Sequence, residues 1–400
     1  MKYFLITLFF QLFVAHVVAR DIDFNSMYHQ LDNLIDNSGR YVNSHETNLK
    51  RLRTLLQEAK DDKSRYDLSF SLYLGYKSYI NDSAIAYLQQ CIRLADKMQR
   101  KDLSGKCKSL VAFQCSSSGL YTEALHILKQ ISTKDLTPSG GLSDYYIAYN
   151  HVYQELGYYT KLEDLRHLYV KISEAYRDSA YQVMNRESED YLLCEELNLS
   201  FQGLYQEAMK VNDRRLARVH PGSRTYAIVA YYRSRLYGKL GDMQMVKYWL
   251  IESAKSDIEN AVMDQASLWE LSDILNKEGD IDRSLKYIRF TWECNNKFGT
   301  RMRSWQISPL LSIIDSNYQK QINRQNQKLI IFISIISVMS LMLLSLLFFV
   351  YRQKKKLSDA RNELKLINEK LVVLNQDLLK ANDDLDTSNH KLSCTNEKLG

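Results

Sequence analysis

The chain has 400 residues, of which 53 are Lys or Arg and 47 are Asp or Glu, so its formal net charge is +6. This near balance excludes a strongly basic nucleic-acid-binding body, because phosphate recognition needs clustered cations. Only 14 Gly and 3 Pro are present, where average usage gives about 28 and about 20. The composition therefore disfavours turn-rich sheets and Gly-rich phosphate loops, and it predicts a mostly helical chain.

Residues 1–19 have the pattern of a cleavable secretory signal. Lys2 supplies a positive start, the stretch from Tyr3 to Val14 is almost wholly apolar, and Val17-Val18-Ala19 places small residues before Arg20. This order is typical of a signal peptide with its cleavage site. An uncleaved anchor or a buried N-terminal helix is the alternative interpretation.

Residues 329–350, LIIFISIISVMSLMLLSLLFFV, contain no charge, Asn, Gln, Gly or Pro. At 1.5 Å per residue such a helix spans about 33 Å, enough to cross a hydrocarbon core of about 30 Å. The cluster Arg352-Gln353-Lys354-Lys355-Lys356 follows it directly. The positive-inside rule places this side in the cytoplasm. This orientation agrees with the export of residues 20–328 by the predicted signal peptide. Residues 20–328 carry 42 Lys or Arg against 39 Asp or Glu.

A repeat becomes visible when the turn residues between the predicted helices are aligned. Successive turns are separated by 38, 38, 46, 38 and 38 residues. Gly or Asn tolerates left-handed backbone at the end of a helix, and Asp can cap the helix that follows. The spacing therefore predicts six helix-turn-helix corners. They are Asn81-Asp82, Gly119-Leu120-Tyr121, Gly157-Tyr158-Tyr159, Gly203-Leu204-Tyr205, Gly241-Asp242 and Gly279-Asp280.

The residues after the corners resemble the second half of the tetratricopeptide repeat (TPR). The clearest segments are GLYTEALHILKQI (119–131), GLYQEAMKVNDRRL (203–216) and GDIDRSLKYIRFTW (279–292). The period is longer than the standard 34 residues, and most of the W-x-x-L-G half is missing. The resemblance covers about 60–310 and implies a right-handed helical solenoid whose concave groove is lined by the first helix of each pair. A small residue lies five positions after five corners, where it would let the paired helices approach closely: Ala86, Ala124, Ala208, Val246 and Ser284.

Transfer of the TPR register predicts a partner-binding groove for a peptide, a protein or a small ligand. The alternative is that these side chains are solvated or pack between repeats, since the repeat phase is uncertain by a residue or two. The predicted groove residues are Asp144, His151, Gln154, Tyr231, Arg235, Trp269, Asp273 and Asn276.

No sequence motif of an enzyme is present, and none of a metal or cofactor site. We therefore expect a non-enzymatic protein without cofactors. Adjacent carboxylates such as Glu195-Glu196 are interpreted as a solvated helix face. Five of the six cysteines precede the apolar segment, and this odd number argues against a full disulfide framework. Buried small apolar residues and one disulfide between neighbouring repeats stay open as alternatives for them.

A heptad pattern follows the apolar segment. Leucines recur every seven residues from Leu357, with Ala360, Ile367 and Leu374 three residues after successive leucines. Leu at heptad position a is preferred, because Leu at d would place five Asn at a, where one is already costly. A single amphipathic helix docked on another domain is the alternative to a parallel dimer. The predicted seam is Leu357, Leu364, Ile367, Leu371, Leu374, Leu378, Leu385, Leu392 and Leu399.

The predicted organisation is all-α, with a TPR-like solenoid, one transmembrane helix and a cytoplasmic coiled coil. We expect a truncated chain, since the coil stops in mid-heptad at Gly400. The predicted segments are a signal peptide (1–19), an N-terminal helical cap (20–60), the repeat array (61–310), a juxtamembrane helix (311–328), the transmembrane helix (329–350) and the coiled coil (351–400).

This order resembles that of membrane-anchored TPR regulatory proteins of the Bacteroides type, in which a cytoplasmic domain of unknown function follows the coil. The resemblance implies an inner-membrane, single-pass sensor with a periplasmic N-terminal part and a cytoplasmic C-terminal part. Its array would bind a peptide or protein partner and relay the event through a parallel homodimeric coil, towards transcriptional regulation. Membrane lipid is the other expected partner, and the chain itself has no nucleic-acid-binding part. The alternative function is a membrane-tethered scaffold for periplasmic assembly without signalling.

Overall fold

The computed structural model describes residues 22–138, 141–299 and 301–397, and these ranges contain helices and no strands. The all-α prediction and the helical solenoid are confirmed. The predicted signal peptide, residues 1–19, and Leu399 of the predicted seam lie outside the described residues. The chain divides into two compact units, Met1–Gln319 and Lys320–Gly400.

Helices α3 to α14 form six consecutive pairs, in which an odd-numbered first helix precedes an even-numbered second helix. A short 3₁₀ helix, Thr133–Asp135, lies between α6 and α7. The helices are α1 (Phe24–Asp36), α2 (Ser38–Glu58), α3 (Asp62–Tyr76), α4 (Asn81–Lys97), α5 (Lys101–Ser117), α6 (Tyr121–Lys129), α7 (Leu142–Tyr159), α8 (Glu163–Val183), α9 (Glu189–Phe201), α10 (Tyr205–Leu216), α11 (Arg224–Leu240), α12 (Met243–Glu259), α13 (Ala266–Glu278), α14 (Ile281–Phe298) and α15 (Arg301–Glu397).

Four of the six predicted corners are confirmed by their backbone conformation. Gly119, Gly203, Gly241 and Gly279 have φ angles of 85°, 79°, 84° and 91°. This left-handed region costs a residue with a Cβ free energy and costs Gly little. In these four pairs the second helix begins two residues after the Gly. The spacing of the glycines in the sequence therefore equals the spacing of the helix starts.

The predicted corner at Asn81 is displaced by two residues. Asn81 is the first residue of α4, and its buried side chain donates a hydrogen bond to Ser118 Oγ at 2.6 Å. Ala84 is therefore the buried small residue of this helix, and the predicted Ala86 is exposed. In every pair that follows the predicted pattern, the small residue is the fourth of the second helix. The small residue therefore keeps a constant distance from the first residue of the second helix, and not from the turn residue predicted before it.

Gly157 is not a corner, because α7 continues to Tyr159 and α8 begins only at Glu163. Gly157 is buried where α7 meets α8, and a Cβ at this position would lie 3.5 Å from Val170 Cγ2. A glycine here allows two helices to approach closely rather than permitting a left-handed turn. This different use of Gly explains why the two spacings that include Gly157, of 38 and 46 residues, were misleading.

The N-terminal helix packs against the last two repeats. Leu31 of α1 is fully buried in a cluster with α12 and α14 side chains. Asp32 accepts a hydrogen bond from Arg283 at 3.3 Å, and Asp36 accepts one from Lys286 at 2.9 Å. These contacts join residues about 250 positions apart in the sequence. The packing of α1 therefore connects the N-terminal end of the described chain to the last two repeats of the array.

A second long-range contact joins the first repeat to the turn before α13. Met263 N donates a hydrogen bond to Ser78 O at 2.8 Å. The Lys297 ammonium lies 4.7 Å from the centre of the Tyr79 ring. A cation above an aromatic ring is attracted by its negative face, and desolvation strengthens that attraction. The beginning and end of the array are thus in direct contact.

The interpretation of Glu195-Glu196 as a solvated face was wrong for Glu196. Glu196 is 1% exposed and forms an ion pair with Arg215, which is fully buried. Arg215 also pairs with Glu189 at 2.6 Å, and Asn212 donates hydrogen bonds to both oxygens of Glu196 at 3.1 Å. Burial raises the pKa of Glu196, whereas the Arg215 charge opposes that shift. A buried charge must be paired, and the ion pair between Arg215 and Glu196 meets this requirement inside the α9–α10 pair.

The buried ion pair generates a stability prediction. We expect Arg215→Ala to lower the free energy of unfolding by about 3–5 kcal/mol, because it leaves Glu196 buried without its cation. Arg214→Ala is the matched control: Arg214 is 48% exposed and lies 3.6 Å from Glu187, so its loss should cost less than about 1 kcal/mol. Urea unfolding of the full chain in detergent micelles, followed by circular dichroism, measures both. Equal losses in the two variants would contradict the assignment.

Candidate functional site

The first helices of successive repeats contact one another through polar side chains. Lys106 of α5 lies 3.8 Å from Asp144 of α7. Burial raises the pKa of Asp144; the Lys106 charge lowers it, and the negative charge of Asp190 on α9 raises it further. Asp144 is therefore within electrostatic range of two other first helices, and one of its oxygens is paired with a neighbouring repeat.

His151 lies two helical turns after Asp144 in α7 and packs on α5. Its Nδ1 lies 2.6 Å from Ser116 Oγ, and its ring centre lies 4.3 Å from that of Phe113. This is a contact between repeats rather than a free groove position. Gln154 is partly exposed on the next turn of α7.

Tyr231 and Arg235 are brought together by a residue that the sequence reasoning missed. Both donate hydrogen bonds to Glu270 Oε1 on α13, Tyr231 Oη at 2.8 Å and Arg235 Nη1 at 2.7 Å. The Arg235 side chain remains 56% exposed. The exposed N–H groups of Arg235 can therefore donate hydrogen bonds to a partner, while the Tyr231 hydroxyl keeps its hydrogen bond to Glu270.

The three predicted residues of α13 have three different environments. Trp269 packs in an apolar cluster with Ile307 of α15, and Asn276 Oδ1 accepts a hydrogen bond from Asn317 of the same helix at 3.0 Å. Asp273 instead forms an exposed ion pair with Lys277 at 2.6 Å. Thus α15 covers Trp269 and Asn276 and leaves Asp273 accessible.

A small polar cavity lies where α13, α14 and α15 meet. Its volume is about 10 Å³, and it is lined by Trp269, Gln265 and Gln306 among others. Trp269 Nε1 and Gln265 Oε1 are buried here without a protein hydrogen-bond partner. A cavity of this size holds about one water molecule, and water satisfies such groups. The cavity completes the packing of α15 and is too small for an organic ligand.

The structure places most of the predicted groove residues in contacts between helices: His151 with Ser116, Tyr231 and Arg235 with Glu270, and Asn276 with Asn317. Arg235 and Asp273 keep accessible charge. The missed residues, Lys106, Glu270 and Asn317, lie 38, 39 and 41 positions from their partners Asp144, Tyr231 and Asn276. Complementary polar side chains one repeat period apart are the sequence signal that would have identified them.

The second unit contains the apolar segment and the predicted seam. Within the described part of the chain, one helix is long and apolar enough to cross a membrane, and it is the one that contains residues 329–350. The apolar side chains of this segment are all exposed, so the protein itself provides no cover for them. The described seam leucines are exposed as well, from 50% at Leu371 to 73% at Leu357.

No curated protein matches the chain in a sequence comparison. A family model described as the SusR N-terminal TPR domain matches residues 35–309. This range includes α3 to α14 and the first-helix face described above. TPR folds are non-enzymatic interaction scaffolds that generally bind proteins or peptides. The match covers more than half of the 400 residues, and the chain therefore belongs to the SusR N-terminal TPR domain family.

Proposed function

We propose that the chain is a single-pass inner-membrane sensor whose periplasmic TPR array binds a peptide or protein partner and relays binding through the membrane helix and a coiled coil to transcriptional regulation. The observation that carries the proposal is the extent of α15, which is one helix from Arg301 to Glu397. It contains residues packed in the array, the apolar segment and the heptad repeat. One continuous helix therefore contains residues of both the proposed binding part and the proposed output part.

Coupling between the partner site and α15 has a direct structural route. Arg235 and Glu270 lie on the accessible face, and Trp269, next to Glu270 in α13, packs against Ile307 of α15. A partner that draws Arg235 away from Glu270 changes the position of α13. Since packed helices shift as units rather than deform continuously, a change in α13 is transmitted to α15.

The exposed apolar segment supports a membrane location for the middle of α15. Its 22 residues bury no side chain within the protein, and a continuous apolar surface of this size is unstable in water. Lipid provides the missing cover. By the positive-inside rule, the cations at Arg352 and Lys354–Lys356 then lie on the cytoplasmic side, where they contact lipid headgroups.

The coil supports a dimeric output. Leu364, Ile367, Leu371, Leu374 and Leu378 are exposed on the isolated helix and recur with heptad spacing. Two copies entering the cytoplasm from the same membrane start at the same height and in the same direction. This pre-alignment lowers the entropic cost of association, so a short seam suffices for a parallel pair.

The membrane orientation predicts opposite results for two reporter fusions. An alkaline phosphatase that folds only outside the cytoplasm should be active when fused after Lys320 and inactive when fused after Lys370. Enzyme activity per amount of fusion protein is the measurement. Activity of the second fusion with silence of the first would reverse the proposed topology.

The dimer seam predicts site-specific cross-linking in membranes. In a Cys394→Ser background, which removes the exposed native thiol near the coil end, Leu371→Cys should cross-link between copies with a short bismaleimide. Glu369→Cys, at the outer f position of the same helix, is the matched control and should react poorly. Gel electrophoresis measures the dimer fraction. Equal yields at the two positions would exclude both the heptad frame and the parallel dimer.

The signalling proposal predicts that the groove and the coil affect the same genes. Deletion of residues 352–400 should change a defined set of transcripts, and Arg235→Ala combined with Asp273→Ala should change that set in the same cells. Lys239→Ala, an exposed cation one turn beyond Arg235 on α11, is the control and should leave it unchanged. RNA sequencing is the measurement. An unchanged transcript profile after the deletion would favour the tethered scaffold instead.

A further inference from the structure

Two cysteines lie at equal distances from the corner between α4 and α5. Gln99 is the left-handed residue of this corner, with a φ angle of 59°. Cys91 precedes it and Cys107 follows it by eight residues each. Because α4 and α5 run in opposite directions from Gln99, equal numbers of residues correspond to equal distances along both helices, about 12 Å at 1.5 Å per residue. The two cysteines therefore lie at the same height on facing helices.

The side chains of the two cysteines are buried in the same part of the core. Both residues are fully buried, in the cluster that joins α4 and α5. Both sulfurs also contact the same residue of α3: Cys107 Sγ lies 3.4 Å from Tyr66 Oη, and Cys91 Sγ lies 3.8 Å from Tyr66 O. Tyr66 thus contacts both thiols, Cys91 through its backbone carbonyl and Cys107 through its hydroxyl.

The two thiols also interact with each other. A hydrogen bond from the Cys91 thiol holds the pKa of Cys107 below its usual range, and the same bond raises the pKa of Cys91. The thiolate is the species that attacks a disulfide. Cys107 is therefore the more readily ionised member of the pair.

We propose that Cys91 and Cys107 are the site of an intrachain disulfide that joins α4 to α5 when the chain folds in an oxidising compartment. Its presence in cells rests on the proposed export of the array. An exported oxidant that carries a disulfide, such as a thiol–disulfide oxidoreductase, supplies the reaction. The Cys107 thiolate attacks that disulfide and forms a mixed disulfide, and one sulfur of the oxidant leaves as a thiolate.

The Cys91 thiolate then attacks Cys107 Sγ in the mixed disulfide. The Cys91–Cys107 bond forms, and the second sulfur of the oxidant leaves. The chain has lost two protons and two electrons, and the oxidant has become a dithiol. Both sulfurs are buried in the folded array, so the exchange takes place before α3 closes over them.

The bond has a specific structural effect, because it links different repeats. Cys91 is on the second helix of the first pair, and Cys107 is on the first helix of the next pair. Repeat arrays hold together through such interfaces between neighbours. A covalent link at this interface prevents the first repeat from separating from the second, whereas a link within one pair does not.

Thiol counting on the full chain tests the proposal. Cells expressing the exported protein are quenched with acid, and the denatured protein is labelled with maleimide-polyethylene glycol before or after reduction. The chain has six cysteines, so we expect four labels before reduction and six after it. Cys91→Ser and Cys107→Ser should each give five labels both times. Cys115→Ser, which removes a buried cysteine of α5 outside the pair, should give three and then five. Mass spectrometry should identify a peptide that joins Cys91 to Cys107.

A second measurement tests formation of the Cys91–Cys107 disulfide independently of the location of the chain in the cell. The purified full chain in detergent micelles is reduced, unfolded in urea and returned to buffer with excess oxidised glutathione. Wild type and Cys115→Ser should form the linked peptide and show a higher Tm than in reductant, whereas Cys91→Ser should show no such difference. Six free thiols in wild type after this treatment would overturn the disulfide. A bridge formed here but absent from cells would support the pair and contradict the export.

Discussion

A short amphipathic helix pair buries only part of its apolar surface alone, so each pair of this array depends on its neighbours. The structure shows where that dependence lies. First helices meet first helices about one repeat period apart, through Lys106 with Asp144, and through Tyr231 and Arg235 with Glu270. These contacts fix the spacing of the pairs and the positions of the side chains on the first-helix face. The geometry of that face and the stability of the array therefore depend on the same set of contacts.

The sequence was sufficient for the features that depend on local backbone chemistry. The glycines with left-handed backbone at Gly119, Gly203, Gly241 and Gly279 mark the corners correctly, because few other residues adopt that conformation cheaply. It failed at Gly157, where the missing Cβ serves helix contact rather than a turn. Composition alone does not separate these two uses of glycine. Only the position of the partner helix does.

The candidate site was predicted less well than the fold, for a physical reason. Register transfer identifies which positions face the groove, but it does not identify which neighbours occupy it. Trp269 and Asn276 are covered by α15, and Glu196 is buried against Arg215. Each of these contacts requires a residue more than ten positions away, and transferring the register to one repeat at a time does not identify that residue. The predictions of the membrane segment and of the coil rest on patterns within one continuous stretch of sequence.

The packing of α1 on α12 and α14 affects the order in which the array is completed. Chains are made from the N-terminus, so α1 is available long before residues 243–298 are. Until then Leu31 and its neighbours have no apolar surface to cover them, and closing so long a loop is slow because the contact order is high. Docking of α1 therefore waits for residues 243–298 and depends on the repeats between. A defect in a middle repeat leaves α1 without the surface that covers it, and an uncovered apolar helix is a target for proteases and chaperones.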